Sequence, residues 1–320
     1  MKIKDSVILV TGGAGNIGSH IVDMCIKEGA KKVIVIDNFT RGVISNLDWA
    51  KKNGNVEVVN GDIRDFELLN KYFKNVDYVF HQAAIRITQC AQEPRLAHEV
   101  LIDGTFNILE ACVKNNIKKV VFASSASVYG DPSYLPIDEN HPFNNKTYYG
   151  AGKIVNEQMA RAFREMYGLK YIGLRYFNVY GPRMDIYGYY TEVMIKWLDK
   201  IDKNESPVIF GDGEQAMDFI YIEDIARANI LALESNIEEG IYNVGTGVMS
   251  SLNDLVRNML ELTNPNLKPE YKKPEKLLIV SKRKADITNA KKDLGFESKI
   301  DLKEGLKKLI EWRKAQHERN

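Results

Sequence analysis

Apolar residues gather in short, nearly unbroken runs along the chain, and the stretches between them carry helical patterns. VILV (7–10), KVIVID (32–37), VEVVNGD (56–62), VDYVFHQ (76–82) and KKVVFASS (118–125) are rich in β-branched residues and apolar nearly throughout. Strands covered on both faces need such a composition, so these runs predict parallel strands. Residues 16–29, 65–74, 95–115 and 148–168 predict helices between them. Strand–helix alternation at this spacing predicts a doubly wound α/β fold of Rossmann type. After residue 180 the rhythm changes. Residues 187–201 predict an amphipathic helix, and PVIF (207–210) and DFIYI (218–222) predict short strands. The Pro- and Lys-rich segment 264–284 predicts loop with one strand, and 302–318 a charged helix on the surface. The expected organisation is a dinucleotide-binding domain over 1–180, with segments around 211–262 returning to it. Residues 181–320 are expected to form a smaller, mainly substrate-binding α/β domain, with a cleft between the two.

Composition narrows the function classes. With 44 basic and 43 acidic residues the net charge is +1, which gives no broad attraction to nucleic acid or membrane surfaces. No apolar run approaches the length of a membrane span. The N-terminal apolar run, four residues before the glycines, is too short for a signal-peptide core. Cys25, Cys90 and Cys112 are widely spaced and odd in number, which fits free thiols in a reducing compartment. A cytoplasmic protein without a structural metal is expected.

VILVTGGAGNIGSH (7–20) reads as a strand, a glycine loop and a helix start. Gly12, Gly15 and Gly18 permit a tight turn, close approach of backbone to a pyrophosphate, and close helix–strand packing. A glycine triplet alone is weak evidence, but here it follows the first strand and opens the first helix. Nineteen residues after Gly18, the second strand ends in Asp37. A carboxylate there accepts hydrogen bonds from the adenosine ribose and repels a 2′-phosphate, favouring NAD over NADP. Arg41 weakens that preference slightly. Asp62 ends the third strand and can cap the adenine amino group or simply its own turn.

Of the sixteen tyrosines, only Tyr149 has a lysine four residues on, Lys153; Tyr148 has Gly152 there. Positions i and i+4 share a helix face. An ammonium there lowers a phenol's pKa, and a base pulled towards neutrality is what oxidation of a secondary alcohol needs. VVFASSASVYG (120–130) leaves the carboxyl end of the fifth strand, where open α/β sheets bind ligands. Ser124 and Ser125 are both placed there to hydrogen-bond a reacting hydroxyl.

TGGAGNIGSH at 11, DN at 37, HQAA at 81, SSASVYG at 124, YGAGK at 149, LRYFNVYGPR at 174 and GDGEQAMDFIYIEDIARA at 211 occur in that order. Together they resemble the extended short-chain dehydrogenase/reductase family, in particular its nucleotide-sugar epimerase branch, over nearly the whole chain. The resemblance implies a seven-stranded parallel sheet and a homodimer built from the helices around 95–115 and 148–168. It implies Ser125 as the catalytic hydroxyl, Tyr149 as the base and Lys153 as its ribose-binding partner. Gly12, Gly15, Asn16, Ile17, Gly18, Asp37, Asn38, Asp62, Ile63, Ala83, Ala84, Ser124 and Tyr176 would line NAD with Tyr149 and Lys153. The implied substrate is a nucleotide sugar, with Arg86, Ser125, Ser127, Tyr149, Asn178, Arg183, Thr191 and Arg283 around it. The implied reaction is 4-epimerisation of a UDP-hexose or UDP-hexuronate through a transient 4-keto sugar, with no net redox change.

Three features bear on the choice of reaction and sugar. The family's 4,6-dehydratases carry Asp-Glu after the catalytic hydroxyl; Ala126 and Ser127 stand here, which argues against dehydration. Met217 occupies the position where family members commonly place an Arg against the nucleotide diphosphate, and Arg283 or Arg183 can replace it. Arg86 can hold a C6 carboxylate in two parallel hydrogen bonds, which would suit a uronate, or can be an ordinary surface arginine. The alternatives are a sugar-nucleotide oxidoreductase of the same family and a non-catalytic NAD-sensing regulator.

Overall fold

The computed structural model describes residues 2–185, 193–273 and 282–317. The strands are β1 (Val7–Thr11), β2 (Lys32–Asp37), β3 (Val56–Asn60), β4 (Tyr78–His81), β5 (Lys119–Ser125), β6 (Tyr171–Tyr176), β7 (Asn178–Tyr180), β8 (Val208–Phe210), β9 (Ala216–Met217), β10 (Phe219–Tyr221), β11 (Glu239–Val244), β12 (Ser250–Ser251) and β13 (Glu270–Lys272). The helices are α1 (Asn16–Lys27), α2 (Asp48–Asn53), α3 (Phe66–Tyr72), α4 (Ile87–Gln92), α5 (Pro94–His98), α6 (Gly104–Lys114), α7 (Tyr148–Tyr167), α8 (Val193–Asp202), α9 (Ile222–Glu234), α10 (Leu252–Leu262), α11 (Thr288–Leu294) and α12 (Leu302–His317).

Seven strands form one parallel sheet in the order β11-β6-β5-β4-β1-β2-β3. The order reverses between β1 and β4, which opens a crevice at the carboxyl ends of the strands. Strand alternation divides the core: Ile8 and Val10 join α1 and α9 on one face, while Leu9 joins α3, α6 and α7 on the other. A third core, built around Trp197 of α8, packs α10 and α12 together. The short pairs β10–β7, β12–β9 and β13–β8 extend from the sheet towards this third core.

Three differences separate the described residues from the sequence expectation. The strands β6 and β11 and the helices α9 and α10 are additional to the segments named from the pattern. The span expected as one helix over 95–115 contains a wider turn, Glu99–Asp103, between α5 and α6. Such turns shift the side-chain register and often lie at functional sites; here Thr105, just beyond it, reaches the buried His81. The amphipathic helix expected over 187–201 is described as α8 from Val193, its earlier residues lying outside the described ones. Finally, α12 is charged but not merely superficial, for Leu306, Leu309, Ile310 and Arg313 are buried.

Candidate active site

The glycine loop leaves β1 and turns into α1. Gly12 has φ +65°, and a Cβ there would sit 2.7 Å from the Ala83 backbone nitrogen. A Cβ on Gly18 would lie 2.2 Å from the Gly12 carbonyl oxygen, so helix and loop close only on glycine. Gly15 caps α1 without a side chain, which leaves the first helical turn open to an outer cavity of about 690 Å³. Asp37 borders the same cavity, and its two oxygens accept from the Ala14 and Phe39 N–H groups at 2.9 Å each. Those bonds fix the carboxylate and leave lone pairs for a ribose. The buried Asn16 Oδ1, without a partner among the described residues, adds a further acceptor on this wall. The donors, the acceptors and the bare glycine cradle fit a dinucleotide.

Gly12, Gly15, Asn16, Ile17, Gly18, Asp37, Asn38, Asp62, Ile63, Ala83, Ala84, Arg86, Ser127, Tyr149 and Arg183 all border the outer cavity. An inner cavity of about 290 Å³ is bordered by Ser124, Ser125, Ser127, Tyr149, Tyr176, Asn178 and Arg283. Tyr149, Ile17 and Ser127 border both, so Tyr149 stands where the two cavities meet. Thr191 lies outside the described residues.

Thr147 caps α7, its hydroxyl accepting from the Gly150 N–H at 3.1 Å. That start sends the two adjacent tyrosines in different directions. Tyr148 points outward to the His98 ring at 2.8 Å. Tyr149 points inward, where Ser125 lies beside its phenol and both border the inner cavity. Lys153 lies one turn deeper and is buried, with Nζ donating to the Ala123 carbonyl at 2.7 Å and 5.6 Å from the Tyr149 ring centre. Burial pushes the Tyr149 phenol up to about 12, and the Ser125 hydrogen bond pulls it only partly back. The expected lowering by Lys153 is therefore not what governs Tyr149 here. The i, i+4 spacing gives a shared face, but the ammonium turns to a β5 carbonyl. Burial lowers Lys153 itself to about 8, opposed by Cys90 and Glu157.

Several expected ligand groups are already engaged within the protein. The Ser124 hydroxyl is turned from the reacting end, because strand alternation aims it at α7, where it donates to Glu157 at 2.5 Å. The Tyr176 phenol is held by Gln82 at 3.1 Å and by Asn229. Asp62 is gripped by Arg64 and Asn38. Burial would raise its carboxyl, but the Arg64 side chain and backbone and then Asn38 outweigh it and hold it down at about 2. Arg183 pairs with Asp23 of α1 at 2.6 Å, and its buried Nη1 has no partner among the described residues. Arg86 pairs with Asp185 at 3.1 Å.

Arg283 behaves differently. Its backbone N–H pairs with Ala216, beside Met217, and its side chain reaches the inner cavity. Nη2 donates to the Gly130 carbonyl at 3.2 Å, and the buried Nε has no partner among the described residues. Burial lowers this guanidinium, against the nearby Asp131. A half-satisfied buried cation facing a cavity is suited to an anion, and it stands next to the methionine where a charge was expected.

Sequence reasoning passed over Gln82, Asp185 and Trp312. Gln82 lies within HQAA, and its amide donates to Asn229 Oδ1 at 3.2 Å. Trp312 borders the outer cavity from α12, whose charged surface pattern hid that inward face. Among the described residues no group of His, Cys, Asp and Glu is arranged to hold a metal ion, and no helix is long and apolar enough to cross a membrane.

A family model described as the NAD dependent epimerase/dehydratase family matches residues 8–245. A Methanocaldococcus jannaschii relative, provisionally named a UDP-glucose 4-epimerase, is 44% identical over 311 residues, covering 96% of this chain and 98% of that one. The solved structure of a Methanobrevibacter ruminantium UDP-N-acetylglucosamine 4-epimerase in complex with UDP-N-acetylmuramic acid has a TM-score of 0.92 at 38% identity, covering 98% of this chain and 99% of that one. The structure of a Thermotoga maritima UDP-glucose 4-epimerase with UDP-glucose has a TM-score of 0.90 at 37% identity, covering 97% of this chain and 99% of that one.

Proposed function

The chain belongs to the NAD dependent epimerase/dehydratase family, and from that premise we propose that it is a UDP-sugar 4-epimerase. The observation that carries this reading is the place of Tyr149 at the meeting point of the two cavities, with Ser125 beside its phenol. The outer cavity takes the dinucleotide along α1, and the inner one takes the sugar nucleotide. NAD, when bound, supplies the reversible two-electron exchange at the sugar's C4. Tyr149 takes the proton of the sugar 4-hydroxyl and later returns one to the re-formed hydroxyl. Ser125 holds the same oxygen in line. Lys153 keeps a positive charge beneath the phenol, and Arg283 and Asn178 hold the diphosphate while the 4-keto sugar turns. Ala126 and Ser127 supply no acid or base for loss of water, so dehydration is set aside.

A neutral UDP-hexose, glucose or galactose, is the favoured substrate. Arg86, which would meet a hexuronate carboxylate, is already answered by Asp185. Incubation with UDP-glucose, UDP-N-acetylglucosamine and UDP-glucuronate, followed by NMR of the sugar, tests this. Epimerised UDP-glucose is the expected result, and turnover of UDP-glucuronate alone would overturn it. Steady growth of absorbance at 340 nm with stoichiometric loss of NAD would instead favour a net oxidoreductase. The Rossmann part is assigned to 1–180 with returning segments of 211–262. The remainder of 181–320 is assigned to the sugar nucleotide. We place the enzyme in the cytoplasm, as its three buried free thiols favour. A homodimer through α6 and α7 is also proposed, supported by the exposed Phe106, Met166 and Tyr167.

A further inference from the structure

Tyr149, Lys153 and Glu157 follow one another at i, i+4 and i+8 along α7, on the face turned to the sheet. Tyr149 borders both cavities, while Lys153 and Glu157 are buried behind it. The Glu157 carboxylate joins two neighbouring strands at one level. Ser124 of β5 and Arg175 of β6 are register partners. The Ser124 hydroxyl donates to Glu157 Oε1 at 2.5 Å, and Arg175 donates through Nε at 2.9 Å and through Nη2 to Oε2 at 2.7 Å. Arg175 is locked in turn by the Tyr129 phenol at 2.7 Å, which donates to Asn243 Oδ1 at 2.6 Å. Every side chain in this chain of bonds is buried.

The position of that clamp matters. Ser124 lies between Ala123, whose carbonyl holds the Lys153 ammonium, and Ser125, whose hydroxyl holds the Tyr149 phenol. A fixed bond from α7 to Ser124 therefore fixes the helix against the two strand residues that contact its reactive side chains. We propose that Glu157 is a positioning residue for the reaction: clamped to Ser124 and Arg175, it sets the Tyr149–Ser125 contact and holds Lys153 in its charged, buried place. This rests on the reading of Tyr149 as the proton-transfer group.

The charge argument runs the same way. Besides Tyr149 and Glu157 on its own helix, Lys153 faces the Cys90 thiol of α4 and acts on the His81 ring at the end of β4. That ring is buried neutral between Thr11 and Thr105. The Arg175 cation from β6 is already paired with Glu157. Burial pulls the Lys153 ammonium down, and Cys90 and then Glu157 are the groups that support it. Neutralising Glu157 removes one of those supports, so Lys153 loses its proton at lower pH.

Three variants test this: Ser124→Ala, Glu157→Gln, and Glu157→Gln combined with Arg175→Gln, which removes both buried charges together and guards against misfolding. Folded protein is quantified by thermal unfolding and retained NAD. Ser124→Ala is expected to lower kcat about tenfold with KM for the sugar nucleotide within about twofold. Both Glu157 variants are expected to lower kcat about a hundredfold, and Glu157→Gln alone to move its alkaline limb to lower pH. The Lys153 titration is read directly in protein carrying ¹³Cε-lysine, with the signal assigned by its loss in Lys153→Met, and needs no turnover of any sugar. A lower midpoint in Glu157→Gln is expected even if the proposed substrate is wrong. An unchanged midpoint in folded Glu157→Gln, or wild-type kcat per folded molecule in either Ser124→Ala or the double variant, would overturn the proposal.

Discussion

By itself the protein gives Tyr149 little push towards phenolate. Burial raises it to about 12, and Ser125 is the one group that pulls it down. The remaining push must come from charge brought to the site, and Lys153 is expected to add to it while protonated. Because Lys153 stands at about 8, kcat is expected to rise from acid pH as Tyr149 becomes available and to fall above about 8 as the ammonium is lost. Lys153→Arg keeps its charge past that point, so its alkaline limb should lie at higher pH, at reduced rate. A pH–rate profile on both proteins checks this, and identical alkaline limbs would remove Lys153 from the argument. Tyr149→Phe should lose about a thousandfold in kcat, within the usual range for a lost acid–base group. It should still retain NAD, measured after denaturation. At this scale the sequence was informative about identity and poor about commitment. Spacing picked Tyr149 over Tyr148, and the outward bond from Tyr148 to His98 agrees. No pattern announced that Arg86, Arg183, Asp62 and Ser124 would each be met by Asp185, Asp23, Arg64 and Glu157. Except for Arg64, two residues from Asp62, those partners lie far along the chain or on another element, and local spacing carries no record of them.

Among elements, the strands of the first 125 residues are legible because β1, β2, β4 and β5 are covered on both faces and nearly all apolar. The edge strand β3, VEVVN, keeps enough β-branched residues to show. β6, YIGLRY, is interrupted by a glycine and an arginine, and that arginine is there to meet Glu157. β11, EGIYNV, is an edge strand with an exposed start. Both therefore lack the plain signal, and the count of seven came from family resemblance. The wide turn at Glu99–Asp103 has no signature in hydrophobic periodicity either. In the loop after β1 the tight turn and close packing expected of its glycines are present, because they have a steric reason that sequence can express. Gly18→Ala puts a methyl group 2.2 Å from the Gly12 carbonyl oxygen. Both are backbone-bound, so the loop or α1 must shift. The expected result is a loss of about 1–3 kcal/mol in stability and at least a tenfold weaker hold on NAD, followed by thermal unfolding and by NAD retained through gel filtration. Unaltered retention would mean that the loop is not the dinucleotide cradle.

Over the whole molecule, the outer side of the α6–α7 pair carries large exposed apolar side chains among its charged ones. Phe106 of α6 stacks edge-on against Phe163 of α7, ring centres 5.5 Å apart, and Phe163 meets Tyr167 at 5.4 Å. Phe106, Met166 and Tyr167 are 45%, 68% and 55% exposed, so this aromatic run continues into solvent. A contiguous apolar patch of this kind on a helix pair is a common mark of an interface. A two-fold arrangement would bring α6 and α7 of one copy against the same pair of another. The patch also lies on the helix that carries Tyr149, Lys153 and Glu157, so covering it would stiffen the element on which the proposed chemistry depends. Phe106→Glu combined with Met166→Glu places two charges there without touching either cavity. Light scattering should then give twice the chain mass for the wild type and the single-chain mass for the variant. Thermal unfolding of the variant should become independent of protein concentration, since association no longer stabilises the fold. A wild-type protein of single-chain mass at micromolar concentration would remove the dimer, and the aromatic run would then need a different partner.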